Sequence, residues 1–540
     1  MTFSYNSLFP HPEIRESQGE AIDFALDALI NKKKRYVIIE AGTGVGKSAV
    51  AVTVSRYMNN LRSVSTDYCA GSYFVTTQKL LQEQYVKDFG RPRGSMKSIK
   101  SSSNYRCSYH RSNTCKVSQQ MLRNEDRSSK FFKRCTFNCG YKNDKRDFLE
   151  SSESVTNFPY FLTEATYSKK ITPRDLLIID EAHNVESELS KFIEVTVSER
   201  FVKHVLKLRW PDSNTQFKAM KWVREIYYPK VRSQLQHVEK SLEKMGMVDR
   251  LKDFESLSKQ YDLLRSHVKK VGTFISVYDK DNWVFDLVPG YGRSMRKFTF
   301  KPIDVSPFSD EYLFRLGKQV IMMSATILDV KTFCESLGID EEDVESISLP
   351  SPFPIDNHPV LVYPIGSMSA KTIDQTLPRM SAAISEILDQ HKNEKGIIHC
   401  HTYRIAKFLK NNIKNKRLLI HNSENREKIL KRHLNSKEPT VILSPSMSEG
   451  VDLKDDLSRF QVLVKIPYPY LGDPLVKKRM NKWSGWYSLQ TAKKIVQAVG
   501  RSVRSYDDSA TSYVLDADWS RFYNRNREIF PDKFKKSLTS

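Results

Sequence analysis

Short runs of aliphatic and β-branched residues recur along the chain, each followed by sequence of helical length. They are Tyr36–Glu40, Tyr73–Thr76, Leu176–Asp180, Val320–Ser324, Val360–Tyr363, Gly396–Cys400, Val441–Ser444 and Val462–Ile466. Continuous apolar runs, rather than alternating ones, suit strands buried on both faces, and helix-length spacers suit parallel crossovers. These strands are too many for one mononucleotide-binding sheet and form two groups. The expected fold class is therefore α/β with two parallel sheets. Two stretches break the alternation. Residues 96–155 are dense in Lys, Arg and Ser and show no strong period, and residues 191–295 read as helical. In the second, Leu242, Met245, Val248, Leu251, Phe254, Leu257, Tyr261, Leu264, Val268 and Val271 recur every three or four positions, the apolar face of one long amphipathic helix. Both stretches are expected to be insertions into the first α/β unit.

A length of 540 residues implies two to four domains, and 39% hydrophobic residues suffice for their cores. No apolar run is long enough for a membrane-spanning helix. The start Met1-Thr2-Phe3-Ser4-Tyr5-Asn6 has neither the basic nor the apolar segment of a secretory signal, so an intracellular location (cytoplasm, nucleoid or nucleus) is expected. In a reducing compartment, clustered cysteines point to metal more than to disulfides. The net charge of +23 favours a polyanionic partner, and its distribution sharpens the point: Lys87–Arg146 holds 16 Lys/Arg against 4 Asp/Glu.

Ala41-Gly42-Thr43-Gly44-Val45-Gly46-Lys47-Ser48 follows one apolar run and opens a helical one, the context of a phosphate-binding loop. Gly42, Gly44 and Gly46 let the backbone turn its N–H groups inward, with Thr43 among them, and the helix start adds partial positive charge. Lys47 is expected to reach the β- and γ-phosphates of ATP, and Ser48 to ligate Mg2+. Leu176-Leu177-Ile178-Ile179-Asp180-Glu181-Ala182-His183 ends an apolar strand in two carboxylates. Asp180 is placed to hold the Mg2+ hydration shell and Glu181 to polarise the attacking water. Near the far end, Gln497-Ala498-Val499-Gly500-Arg501-Ser502-Val503-Arg504 sets Arg501 and Arg504 three apart on one helical face, where guanidinium groups would stabilise charge on a γ-phosphate.

These elements, in this order, resemble superfamily 2 helicases of the XPD/DinG group, with the DinG branch nearer. Arg15-Glu16-Ser17-Gln18 resembles that group's adenine-sensing motif, which makes Gln18 a base contact. Thr76-Thr77-Gln78 and Leu80-Leu81-Gln82-Glu83-Gln84 are similar to the strand-gripping motif Ia. Asn157-Phe158-Pro159-Tyr160-Phe161-Leu162 resembles the lead-in to the DEAH box, Ser324-Ala325-Thr326 the coupling motif, and Ser351-Pro352-Phe353 the linker to the second lobe. Glu449-Gly450-Val451-Asp452 resembles motif V, and Ile466-Pro467-Tyr468-Pro469 with Asp473-Pro474 the loop before motif VI.

The resemblance implies two RecA-like motor domains. The first comprises residues 1–95, 156–190 and 296–350, the second 351–540, with a cysteine-rich insertion at 96–155 and a helical arch at 191–295. It also gives Cys107, Cys115, Cys135 and Cys139 a role, because this group carries a 4Fe-4S cluster between motif Ia and the DEAH box. Their spacing of seven, nineteen and three intervening residues leaves zinc as the alternative. Cys69, Cys334 and Cys400 are expected to be buried packing residues. The implied activity is an ATP-dependent DNA helicase, a monomeric motor moving 5′→3′ on single-stranded DNA up to duplex junctions. Gln497, Arg501 and Arg504 would complete a site whose nucleotide-binding set includes Gly450 and Asp452. Two rival readings remain, an RNA remodeller and a passive ATP-gated clamp.

Overall fold

The computed structural model describes residues 3–42, 44–61, 67–90, 96–111, 114–122, 125–244, 251–290, 295–422, 425–445, 453, 455–503 and 505–539. Thr43, Met245, Val248, Glu449, Gly450, Val451, Asp452 and Arg504, all singled out above, lie outside the described residues.

Seven strands form the first sheet, in spatial order Val344–Leu349, Tyr36–Ala41, Gly317–Ser324, Arg174–Asp180, Cys69–Thr76, Glu153–Asn157 and Met96–Ser98, every neighbouring pair parallel. Alternate side chains feed different cores. Ile38, Val75, Leu177, Ile179, Val320 and Met322 pack on one face, and Val37, Ile39, Phe74, Leu176, Ile178 and Ile321 on the other. Burial on both faces is why these strands read as unbroken apolar runs. The second sheet is also seven-stranded and parallel, in the order Leu418–Ile420, Val441–Ser444, Gly396–His399, Phe460–Leu463, Thr511–Asp516, Val360–Gly366 and Leu538–Thr539. All eight expected runs overlap strands of these two sheets, though the strand expected at Val462–Ile466 is Phe460–Leu463.

Residues 191–295 are not wholly helical. Val195–Ser198 and Trp283–Val288 pair antiparallel with Lys297–Pro302 in a three-stranded sheet, joining segments about a hundred residues apart that no local window connects. The long apolar face also belongs to two helices, Tyr228–Lys244 and Leu251–Val277, rather than one. They run antiparallel: Tyr261 Oη donates to Glu239 Oε1 at 3.0 Å, and Tyr227 Oη meets His267 Nε2 at 2.7 Å. The cysteine-bearing stretch, which shows no strong period, nonetheless contains helices Cys115–Met121, Lys130–Phe137 and Gly140–Glu150. In its last two helices Phe131, Cys135, Tyr141 and Phe148 are buried while Phe137 is exposed, so the buried positions are too sparse to set up a visible period. Cys334 and Cys400 are buried as expected, but Cys69 is exposed at the start of its strand.

Arg174 ties the cysteine-bearing helices to the sheet. Its side chain is 2% exposed and lies 4.1 Å from the Tyr73 ring centroid. Its guanidinium donates to Ser72 O and Ser154 Oγ on one side, and to Phe148 O and Leu149 O, at the end of helix Gly140–Glu150, on the other. A planar fork satisfies four acceptors at once, and a cation suits a helix carboxyl end. We expect Arg174→Met to lower first-lobe stability by about 2–4 kcal/mol, read from the urea midpoint, because four buried acceptors lose their donor.

Candidate active site

Parallel pairing brings the carboxyl ends of the first-sheet strands to one edge. Glu40 is in register with Ser324 on one side and Ser348 on the other, and Asp180 pairs with Met323. The loop after Ala41, the Asp180–Glu181 turn and Ser324–Thr326 therefore emerge side by side, where ligands bind in open α/β sheets. Gly44 and Gly46 hold φ of +88° and +85°, left-handed conformations that glycine adopts without cost, and Gly46 caps helix Lys47–Asn60. Neither has room for a side chain. A Cβ on Gly44 would fall 2.1 Å from the Phe353 ring, and one on Gly46 2.5 Å from Gln18 Nε2. The loop is thus gripped between the 15–18 segment and the linker at 351–353. Arg15 Nη1 donates to Gly44 O at 2.8 Å, the Arg15 N–H donates to Gln18 Oε1 at 3.0 Å, and Gln18 is buried. Lys47 Nζ donates to Ala41 O at 3.0 Å, at the root of the loop.

Asp180 is buried, accepting from Tyr85 Oη at 3.1 Å and from the Glu181 N–H at 3.0 Å. Burial first, and then the neighbouring Glu181 charge, push its carboxyl up to about 6, against the pull of the Lys47 ammonium. Ser48 hydrogen-bonds the same Tyr85 hydroxyl. Glu181 sits at a left-handed φ of +54°, its carboxylate 3.4 Å from His183 Nδ1. From there a polar path continues. His183 Nδ1 meets Ser324 Oγ at 2.8 Å, Ser324 Oγ accepts the Thr326 N–H at 3.0 Å, and Thr326 Oγ1 accepts from Gln497 Nε2 at 3.0 Å. Gln497 belongs to helix Trp486–Val499 of the second sheet's lobe, so the path crosses between lobes. Arg501 follows that helix, half-buried near His399, whose imidazole is pushed down to about 4 mainly by burial, with the Arg501 charge adding. Thr76 is fully buried, its hydroxyl committed to Gln78 O, whereas Thr77 and Gln78 are half-buried. Gln82 of the neighbouring segment is also buried, bonded to Ile99 O and Asn157 Nδ2, so it braces the cysteine-bearing insertion instead of facing a strand.

The cysteines Cys107, Cys115, Cys135 and Cys139 converge. Cys115 Sγ and Cys139 Sγ are 3.9 Å apart, and the charges of the other three thiols all bear on Cys115. Cys139 precedes helix Gly140–Glu150; hydrogen bonds from Cys115 and Cys135, joined by the Tyr141 and Lys142 N–H groups, hold its thiol well below the usual range. Its partners Cys115 and Cys135 are pushed up. Among the described residues no group of three or more Cys, His, Asp or Glu side chains is posed as a finished metal cage. The donor chemistry, four soft sulfurs with one already favouring thiolate, fits a thiophilic centre. The 3.9 Å separation is close to the roughly 3.8 Å tetrahedral edge that thiolates around one zinc would set, and a four-iron cube spreads its sulfurs further.

Two sequence families match the chain, "Helicase C-terminal domain" over residues 384–537 and "Type III restriction enzyme, res subunit" over residues 11–209. The ATP-dependent DNA helicase DinG of Photobacterium profundum is 26% identical over 235 residues, 40% of this chain and 34% of that protein. The ATP-dependent DNA helicase YoaA of Escherichia coli is 20% identical over 419 residues, 69% of this chain and 65% of that protein. The chain thus spans about a third and just under two thirds of these relatives' lengths. Two solved structures share the fold. An XPD helicase superposes with a TM-score of 0.66 at 17% identity, covering 96% of this chain and 98% of that one, and S. tokodaii Xpd4 with 0.60 at 14%, covering 97% and 99%. These matches support an XPD/DinG-like superfamily 2 helicase.

Some contacts around the site are written in no single motif. Tyr85 is buried one helical turn beyond Gln82, and its only sequence signal is that spacing. Arg15 and Phe353 grip the phosphate loop from segments 29 residues before and 309 residues after Gly44, a convergence no local pattern encodes. We expect Gly44→Ala to weaken equilibrium ATP binding by roughly tenfold or more, since it combines backbone strain with a collision. Adding Phe353→Ala should recover part of the loss, leaving the strain alone.

Proposed function

We propose that this chain is an ATP-dependent DNA helicase that translocates 5′→3′ on single-stranded DNA and hydrolyses ATP with Mg2+ at the seam between its lobes. The observation that carries this reading is the polar path from Glu181 through His183, Ser324 and Thr326 to Gln497, because it ties the hydrolytic edge of one lobe to a helix of the other. The relatives' printed names, both ATP-dependent DNA helicases, support it. In this reading the loop amides and Lys47 hold the phosphates, with Ser48 and Asp180 presented to Mg2+. Glu181 takes the proton of the attacking water, and Arg501 meets the charge that builds on the γ-phosphate. Gln18 and Arg15 set the adenine side. Nucleotide bound to both halves favours the closed arrangement, hydrolysis releases it, and strand grips on the two lobes alternate.

Lys47→Ala should abolish ATP hydrolysis stimulated by single-stranded DNA. Glu181→Gln should keep ATP binding but slow turnover by about 10²–10⁴-fold, as removal of a general base does. Undiminished stimulated turnover in Lys47→Ala would end the nucleotide assignment. Matched DNA and RNA strands in the same assay separate the helicase from an RNA remodeller, and strand displacement on 5′- and 3′-overhang duplexes reads the direction of travel.

For Cys107, Cys115, Cys135 and Cys139 the reading is a 4Fe-4S cluster that, when bound, rigidifies the basic insertion ahead of the duplex. Zinc is kept as a second reading because the Cys115–Cys139 spacing suits a single ion. Protein purified without oxygen is expected to be brown, with Cys107→Ser bleaching it. A colourless protein holding one equivalent of zinc would overturn the cluster.

A further inference from the structure

Helices Pro474–Lys482 and Trp486–Val499 of the second lobe dock on the first through contacts outside the nucleotide seam. Arg479 anchors them. Its side chain is 8% exposed, Nη1 meets Glu186 Oε1 at 2.5 Å, and Nε and Nη2 donate to Ile303 O and Pro302 O at 2.8 and 3.3 Å. The Trp486 indole N–H reaches the other Glu186 oxygen at 3.4 Å, and Lys482 pairs with Asp304 at 2.5 Å. Glu186 is on helix Val185–Ile193, which begins directly after the Asp180–His183 turn.

Trp486, Lys493 and Gln497 are spaced seven and four residues apart, so they share one face of their helix, and all three address the first lobe. Lys493 is 6% exposed, with Nζ 5.7 Å from the Phe333 ring centroid, on the helix that Asp329 caps. The carboxylates whose charges bear on it, Glu186, Glu40 and Asp329, all belong to the first lobe. Glu40 is the last residue before Ala41 and the phosphate loop. Its Oε1 accepts the Leu328 N–H at 2.8 Å, and Leu328 is held at a left-handed φ of +65°, costly for a branched side chain. Glu40 therefore joins the root of the phosphate loop to the strained segment after Ser324-Ala325-Thr326, and Leu328 in turn packs on the second-lobe core that holds Ala492 and Ile495, on either side of Lys493 in the chain.

We infer that Lys493 is a positioning residue for the phosphate loop, acting across the lobe boundary through Glu40. With the helix docked, its ammonium offsets the cost of burying Glu40 and Asp329, so the carboxylate keeps its grip on Leu328 and the strand end stays fixed. With the lobes apart, the acidic groups lose their counter-charge in an apolar setting, which is worse than having no pair at all. Lobe position would thus reach nucleotide affinity by a route behind the seam, separate from Gln497. The inference rests on the proposed reading that this loop binds ATP.

The test is a double-mutant cycle on the full chain, Lys493→Met against Glu40→Gln, read by equilibrium ATP binding, DNA-stimulated kcat and thermal unfolding. We expect Lys493→Met to weaken ATP binding on the order of tenfold with kcat within about twofold, the range of coupling seen for residues in one network. Lys493→Arg should stay close to wild type. The double variant should bind ATP no worse than Lys493→Met alone, because the carboxylate needing the cation is gone. Unchanged affinity in a folded Lys493→Met, or losses that simply add, would overturn the inference and leave the helicase reading intact. A wild-type chain that binds no ATP would overturn both. Should Lys493→Met fail to fold, Lys493→Gln takes its place in the cycle, and the same outcomes decide.

Discussion

Everything at the candidate site depends on the parallel placement of strand Tyr36–Ala41 between Gly317–Ser324 and Val344–Leu349. Its alternate side chains belong to two cores, Ile38 to one and Val37 and Ile39 to the other, so sliding by one residue would exchange both sets at once. Apolar packing thereby holds Glu40 level with Ser324 and Ser348. That register brings the phosphate loop beside the coupling segment and the Asp180–Glu181 turn. The chemistry stands at the edge of the sheet, and the force that aligns it is the burial of side chains that touch no ligand.

The lobes, by contrast, meet largely through polar groups, with Leu328 of the first packed on the core of the second. Of the links from Glu181 to Gln497 only the last, the hydrogen bond from Gln497 to Thr326, spans the lobes, and such a bond is worth about 1 kcal/mol net, because water offers nearly equal partners when the lobes part. The buried Arg479–Glu186 pair and the Lys493 cluster gain little over separated, hydrated ions, yet a half-formed arrangement is penalised. Such a boundary can part at little net cost, a property that a nucleotide able to touch both halves would exploit. A large apolar interface would have locked the lobes together.

Three kinds of feature escaped a linear reading, each for its own reason. Strand Glu153–Asn157 reads as polar, but it is buried because Arg56 pairs with Glu153 and Arg174 bonds Ser154, partners 97 and 20 residues away along the chain. The antiparallel sheet unites Val195–Ser198 with Lys297–Pro302 across a long helical stretch, so its alternation is split into pieces too short to detect. The apolar face across residues 242–271 kept its period between two antiparallel helices, and periodicity alone does not register a reversal of direction.

The sequence by itself determined that there are two parallel-sheet units and where the glycine-rich loop and the acidic turn lie, because each of these is written in contiguous residues with a local physical requirement. Glycines at left-handed φ, apolar runs buried on both faces and carboxylates at a strand tip are dictated within a few positions of one another. Tertiary structure alone decided that Gln497 reaches Thr326, that Arg15 and Phe353 clasp Gly44, and that Lys493 lies over Phe333. Those pairs are separated by tens to hundreds of residues, and what unites them is the packing of one lobe on another, a property of the assembled surfaces that no stretch of chain carries alone.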